Sequence, residues 1–304
     1  MKISLSTLAV GLASAPAATA WGSLGHATTA YLASHFVADS TKAHFQTLLG
    51  RHDDDYLAKV ASWADSVKYE AWAKFTKNFH FIDAHDDPSH SCSVDYDRDC
   101  KAGGCVISAV ANYTQQSLDP ELDALSREHA AKFLIHFIGD LHQPLHNEGV
   151  ARGGNGIHVL WGKKKFNLHF VWDTAIAERW LNTGRIRQPY IVAARWAREL
   201  ADEINHGKFA AQRDAWLQDL DFQDAVGTAM AWSRESNALV CTHVLPEGPV
   251  AIQNQQLDGA YFDKAGPVVE VQVARAGLRM AAWLDKVAEG YEAAKAKEPG
   301  SSEL

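Results

Sequence analysis

Between His136 and His146 the chain reads His-Phe-Ile-Gly-Asp-Leu-His-Gln-Pro-Leu-His, which sets three histidines and an aspartate inside a strongly apolar run. Uncompensated imidazole and carboxylate groups are costly to bury, so any fold that takes this stretch into a core must also satisfy its polar atoms. The spacing predicts a helix. His136 and Asp140 fall four apart on one face, while Phe133, Phe137, Ile138 and Leu141 supply the packing surface. Pro144 stops the helix, and His146 follows the stop. Hydrogen-bonded core residues would account for such a stretch, and so would a metal site, because imidazole and carboxylate are ligands expected for zinc. A second pair favours metal. His169 and Asp173 repeat the four-residue spacing among Leu168, Phe170, Val171 and Trp172, and two such pairs point to a multi-metal site.

The 304 residues are 47% hydrophobic and 22% charged, within the range of an ordinary globular protein, and neither an internal repeat nor a linker divides them. Lys2, the apolar run 3–17 and Ala18-Thr19-Ala20 follow the pattern of a secretory leader. Residues 1–20 are therefore expected to be a signal peptide, with a mature chain that begins at Trp21 and is secreted to the extracellular space. The run is too short for a transmembrane helix. In an oxidising compartment four cysteines can form two disulfides with three possible connectivities. Cys100 and Cys105 are close enough for a local loop, and Cys92 and Cys241 would then make a long-range tie. Zinc ligation by these cysteines is disfavoured, as Cys-x-x-Cys spacing is absent. Asn112-Tyr113-Thr114 is the only glycosylation sequon. A formal charge of -8 argues against a broad basic surface for duplex DNA.

Taken in order, the chain opens Trp21-Gly22-Ser23-Leu24-Gly25-His26 and continues as a helical pattern through Phe36. Trp21 is either core packing or, through a free amine and its carbonyl, a metal chelate that His26 joins. Helical patterns follow at roughly 40–50 and 54–66, the second carrying Asp65 shortly before Lys68. Asp65 is a helix-end charge or a ligand. Residues 78–83 alternate as an extended segment with His80 and Ile82 on one face; His80 and Asp83 read as ligand and base, or as loop residues. Residues 84–105 read as a disulfide-pinned loop. Helices are expected over 106–118 and 121–143, then a glycine-rich loop over 149–156 and a hairpin of Ile157–Trp161 and Lys165–Phe170. Lys163, Lys164 and Lys165 mark its solvated turn or touch a phosphate backbone. Further helices are expected over 173–185, 189–206, 222–242 and 268–294, the last with Val273, Met280, Leu284 and Val287 as a core stripe. The ending, Lys297 to Leu304, is polar and expected to be disordered, and the tail is assigned to 296–304. The fold class is mainly α: a single compact helical domain over 21–295 with a small β-hairpin.

With Trp21, Asp65, His80, His136, Asp140, His146, His169 and Asp173 in this order, the chain closely resembles the secreted fungal single-strand-specific zinc nucleases of the S-one and P-one type. These share a helical fold with bacterial zinc phospholipase C. The resemblance covers essentially the whole mature chain and implies three zinc ions. Asp65, His80, His136 and Asp140 would hold one. The amine and carbonyl of Trp21, with His26 and a bridging Asp140, would hold its close partner, and His146, His169 and Asp173 the third. His35, His44, His129, His142 and His158 match no ligand position and read as structural.

The resemblance also makes Asp83 the partner of the attacking water and Lys68 a phosphate contact. Phe81 and Asn155 resemble the pocket that stacks and hydrogen-bonds a base, and the cysteine pattern implies Cys92 with Cys241 and Cys100 with Cys105. The implied activity is endonucleolytic hydrolysis of single-stranded DNA and RNA to 5′-phosphate products, with 3′-nucleotidase activity on 3′-mononucleotides. A zinc-bridged hydroxide would attack phosphorus in line while the third zinc stabilises the leaving 3′ oxygen. No stable protein partner and no membrane anchor are implied. One rival is a zinc phospholipase C, although phospholipases place a glutamate where Asp173 stands. The other is a non-catalytic secreted zinc-binding protein, which would have no need of Asp83 and Lys68.

Overall fold

Apolar residues at three- and four-residue spacing make the C-terminal helix, Ala260–Lys295, the spine of the fold: Val269, Val273, Ala276, Met280, Leu284 and Val287 are all buried along it. Its 36 residues extend about 54 Å at 1.5 Å per residue. The computed structural model describes residues 21–183 and 188–297; the expected leader and residues 298–304 of the expected tail lie outside them. The N-terminal helix, Ser23–Ser34, packs against both the spine and the helix Pro189–Asn205. The helix Ala124–Leu141 packs against Val106–Leu118 and the spine. Its entry is fixed by Asp123, whose side chain accepts the Ser126 N–H. From Phe133 to Leu141 every residue of this helix is buried, so His136 and Asp140 lie in the centre of the molecule. No helix among the described residues is long and apolar enough to cross a membrane.

The architecture is mainly α with one two-stranded antiparallel hairpin, β1 His158–Trp161 and β2 Lys164–Asn167, in the register His158 opposite Asn167. Both disulfides pair as expected, Cys92 with Cys241 and Cys100 with Cys105. The first ties the loop over 84–105 to the segment that follows the helix Ala225–Leu239.

Several local expectations are corrected. The strand expected through Phe170 ends at Asn167, because the Asn167 side chain accepts the Phe170 N–H at 2.7 Å and starts a helix at Leu168. A π-helical turn, Val171–Ala175, follows, so His169 and Asp173 sit on helical backbone. The extended reading of 78–83 fails at its start, since Ala71–His80 is a 3-10 helix with His80 as its last residue. Of the helix expected over 54–66, only Trp63–Val67 forms; the Ala61 carbonyl accepts a hydrogen bond from His136 Nδ1 at 2.6 Å instead of serving a helix ladder. The spine begins at Ala260, ahead of the expected 268, and carries Pro267 within it.

Candidate metal centre

Asp140 is the hub around which the polar residues of the core gather. Its carboxylate lies 3.3 Å from His26 Nε2, 3.0 Å from His80 Nδ1, 3.1 Å from His136 Nε2 and 3.7 Å from His146 Nδ1. Asp65 Oδ1 is 3.7 Å from His136 Nε2 and 3.8 Å from His80 Nδ1. On the other side Asp173 stands 3.2 Å from His169 Nε2 and 3.7 Å from His146 Nε2. Three groups have donor atoms close enough to share an ion: His26, Asp65 and His136; His80, His136 and Asp140; His146, His169 and Asp173. All eight of these side chains are buried. Gly139 permits the approach of the N-terminal helix, since a Cβ there would stand 3.0 Å from His26 Nδ1.

The rings are oriented from outside the cluster. His136 Nδ1 donates to the Ala61 carbonyl at 2.6 Å, His146 Nδ1 to the His80 carbonyl at 2.8 Å and His169 Nδ1 to the Gly153 carbonyl at 2.6 Å. A carbonyl only accepts, so each Nδ1 carries a proton and Nε2 is left as the atom that a neutral ring would offer to a metal. That is how outer partners prepare a histidine for metal. His136 Nε2 meets His80 Nδ1 at 3.0 Å, but several other atoms of the cluster lack a protein hydrogen bond. Among the described residues, six of the twelve buried side-chain polar atoms without a hydrogen bond belong here: both ring nitrogens of His26, Nε2 of His80 and His146, Oδ1 of Asp140 and Oδ2 of Asp173. A buried cluster of imidazole and carboxylate groups that leaves such atoms unpaired fits a set of divalent metal ions.

The buried charges are strongly coupled to one another. Burial pushes His80 down to about 4, with His136 adding to the effect and Asp140 opposing it. Burial also acts downward on His136 and His146, yet Asp140 and Asp65 outweigh it for the first, and Asp140 and Asp173 for the second, so both are held above the usual imidazole range. For Asp140 burial acts upward, but His136 and His146 hold it well below the carboxylate range. Carboxylates that stay ionised in a dry core need positive charge beside them. A fourth group, Asp86, Cys92 and Glu148, does not fit a metal, because the Cys92 sulfur is spent in a disulfide. Burial pushes Glu148 up to about 8, with Asp86 adding to the effect.

Trp21 is buried, its indole donating to the Gly139 carbonyl at 2.9 Å, and the next N–H, that of Gly22, donates to the Asp173 carbonyl at 2.9 Å. The start of the expected mature chain thus lies against both halves of the cluster. His142, by contrast, turns away: its Nδ1 donates to the Ile138 carbonyl, and its Nε2 lies 3.2 Å from Arg279.

A cavity of about 400 Å³ opens beside the cluster, lined by Lys68, His80, Phe81, Asp83, His146, Asn155 and His169 among others. Larger grooves elsewhere, such as one of about 760 Å³ between Asp39–Leu48 and the spine, contain none of these donors. Lys68 is buried and bonds Asp65 Oδ1 at 2.7 Å. Asp83 is half-buried, and burial raises its pKa above the ordinary carboxylate value.

A family model described as S1/P1 Nuclease matches residues 21–289. The chain belongs to the S1/P1 nuclease family. It is 43% identical to Nuclease S1 of Aspergillus oryzae over 95% of this chain and 97% of that protein. Identity to Nuclease P1 of Penicillium citrinum is 41% over 90% of this chain and the whole of the relative, and to Endonuclease 4 of Arabidopsis thaliana 32% over 89% and 90%.

In this S1/P1 nuclease family member the cavity also has lining residues that sequence reasoning missed. Lys77 and Arg152 add positive charge, and Glu148 lines the same wall. Gln143 donates to Asp173 Oδ1 at 2.5 Å and accepts the Leu145 N–H. Arg152 had one available signal, as the only charged residue of the glycine-rich loop. Asn155 is partly engaged: its amide donates to the Arg152 carbonyl at 2.9 Å, and its oxygen accepts from Asn167 at 3.3 Å.

Proposed function

We propose that this chain is a secreted, zinc-dependent, single-strand-specific endonuclease that hydrolyses DNA and RNA to 5′-phosphate products and also acts as a 3′-nucleotidase. The observation that carries the reading is the buried convergence of inward-facing Nε2 atoms on Asp65, Asp140 and Asp173 in a member of the S1/P1 nuclease family. Asp65, His80, His136 and Asp140 would hold one zinc, His26 with the Trp21 amine and carbonyl and Asp140 a second, and His146, His169 and Asp173 a third. The chemistry zinc supplies is Lewis acidity toward phosphate oxygens and acidification of water to a pKa of about 7.

The protein's own groups do the positioning. Asp83, on the cavity wall, accepts a hydrogen bond from the attacking water and orients it. Lys68 offers its ammonium to a non-bridging phosphate oxygen, with Asp65 keeping it aimed. Phe81 stacks a base, and the remaining N–H of Asn155 reaches the base edge. Stacking of about 1–3 kcal/mol per base is open only to a base that has left the duplex, which gives the single-strand preference. None of these contacts requires a 2′ hydroxyl, so both sugars are accepted.

The start of the family match at residue 21 supports removal of residues 1–20 before the Trp21 amine can ligate. Parallel assays on single-stranded and duplex DNA, with and without chelator, test the function. The reading expects rapid cutting of the single strand only, abolished by chelation. Equal rates on both forms would refute the stacking account, and chelator-resistant cutting would refute the zinc.

A further inference from the structure

Beside the catalytic cavity the 3-10 helix Ala71–His80 sorts its sequence into three rows. With three residues per turn, side chains at i and i+3 eclipse one another. Ala73 and Thr76 form the buried row. Trp72 and Phe75, continuing the spacing from Tyr69, form a second row, exposed at 53, 51 and 60% from Tyr69 to Phe75. Lys74 and Lys77 form a third, exposed row, in step with Lys68 before the helix. Three of the six strongly exposed large hydrophobic residues among those described fall within these seven positions. Scattered exposed hydrophobics need no explanation, but a clustered set does.

These rings are fixed from behind. Trp72 stacks on His129 at a centroid distance of 5.1 Å and tilts against Trp63 at 6.1 Å, and Phe75 meets Phe79 edge-on at 5.8 Å. Lys77 Nζ lies 5.5 Å from the centre of the Tyr69 ring. The face is also continuous with the catalytic cavity, because the exposed Lys77 also lines that cavity. Its charge is positive: with Lys68 buried and paired to Asp65, the exposed residues between Tyr69 and Lys77 have two lysines, Lys74 and Lys77, against one acid, Glu70. A preformed aromatic row beside a basic row is the arrangement that holds single strands without reading their sequence.

We infer that Tyr69, Trp72 and Phe75, with Lys74 and Lys77, form a second binding track that takes the single strand outside the catalytic cavity. Bases stack on the open ring faces while the lysines follow the phosphates. This rests on the proposed nuclease reading and deepens it, since it makes the enzyme favour long strands over dinucleotides. The adjoining groove of about 490 Å³ is also lined by the exposed Asn112. A sugar on that residue is the competing occupant.

The test compares the wild type with Trp72→Ala/Phe75→Ala on a dinucleotide and on a long oligothymidylate. The track predicts that KM for the long strand rises about fivefold or more, the lower end of what loss of base stacking gives, with dinucleotide turnover unchanged and partial recovery in Trp72→Tyr. Lys74→Gln is expected to flatten the dependence of log binding on log salt by about 0.7. Wild-type KM in the double variant, or an equal loss on both substrates, would overturn the proposal; the former is also what a sugar-covered groove gives. Anisotropy of a labelled strand separates this from failure of the function itself. Wild-type protein that cuts nothing refutes the nuclease, whereas strand binding kept by the double variant refutes the track.

Discussion

Replacing Gly153 by alanine is expected to weaken the third metal position selectively. Gly153 adopts φ +58, a Cβ built on it would stand 2.7 Å from the Leu145 carbonyl oxygen, and its own carbonyl accepts the His169 Nδ1 proton at 2.6 Å. The left-handed conformation alone costs a side chain about 1–2 kcal/mol. Ala151 and Arg152 bear it in the same loop, at φ 49 and 60. The contact with Leu145 decides the outcome, because a backbone oxygen cannot rotate aside. Relief requires the peptide at Gly153 to shift, carrying the acceptor away from His169. Loss of such an outer partner typically weakens metal binding about 10- to 100-fold, or about 1.4–2.8 kcal/mol. Zinc titration against a competing chromophoric chelator reads this directly, with the other two ions unchanged. Gly162→Ala is the control, as Gly162 has φ +59 and a Cβ there would meet nothing within 4 Å. Wild-type affinity for every zinc in Gly153→Ala, or an equal loss in Gly162→Ala, would refute the reasoning.

Asp83→Asn is expected to lower kcat about 10²- to 10⁴-fold while zinc content by elemental analysis stays unchanged; retained turnover would remove Asp83 from the mechanism. Burial holds Asp83 above the usual carboxylate range, so the wild-type rate should fall as pH drops through that raised value, and a flat acid limb would contradict the assignment. Asp99 behaves oppositely: burial acts upward, but bonds from Arg98 and from the backbone N–H groups of Asp95 and His85 outweigh it and lower its pKa. Its contribution is therefore fully present above the unfolded value of about 4 and lost as pH falls through the lower folded value. Urea midpoints at about pH 6 and about pH 3 should differ less for Asp99→Asn than for the wild type, and an unaltered difference would show that Asp99 has no such role.

What could be read from the sequence depended on whether a residue's role was local. His136 and Asp140 were legible because one buried helix carries both at helical spacing. His169 and Asp173 were legible as a pair, but their backbone was not: a hairpin strand was expected through Phe170, while the Asn167 cap and the π-helical turn are local events that periodicity does not register. Phe79, His80 and Phe81 imitate a strand because the chain leaves a 3-10 helix at His80 and becomes extended at Phe81. Ala61 was illegible for a different reason, since its carbonyl serves a ring 75 residues away. Lys77, Glu148 and Gln143 act through tertiary placement, which no spacing along the chain encodes. The exposed row of Tyr69, Trp72 and Phe75 shows its logic only at three residues per turn, whereas a strand was expected to begin at residue 78.

The central claim is that one buried cluster, completed by a free amine at Trp21, holds three zinc ions and makes the enzyme. The measurement that bears on it most directly is zinc stoichiometry by elemental analysis on protein whose N-terminus is confirmed as Trp21, assayed in parallel on single-stranded DNA. Three zincs per chain, with activity that a chelator removes, is the expected result, and a form with extra residues before Trp21 should hold fewer ions and cut poorly. One zinc or none, or full zinc and full activity in the extended form, would contradict the account.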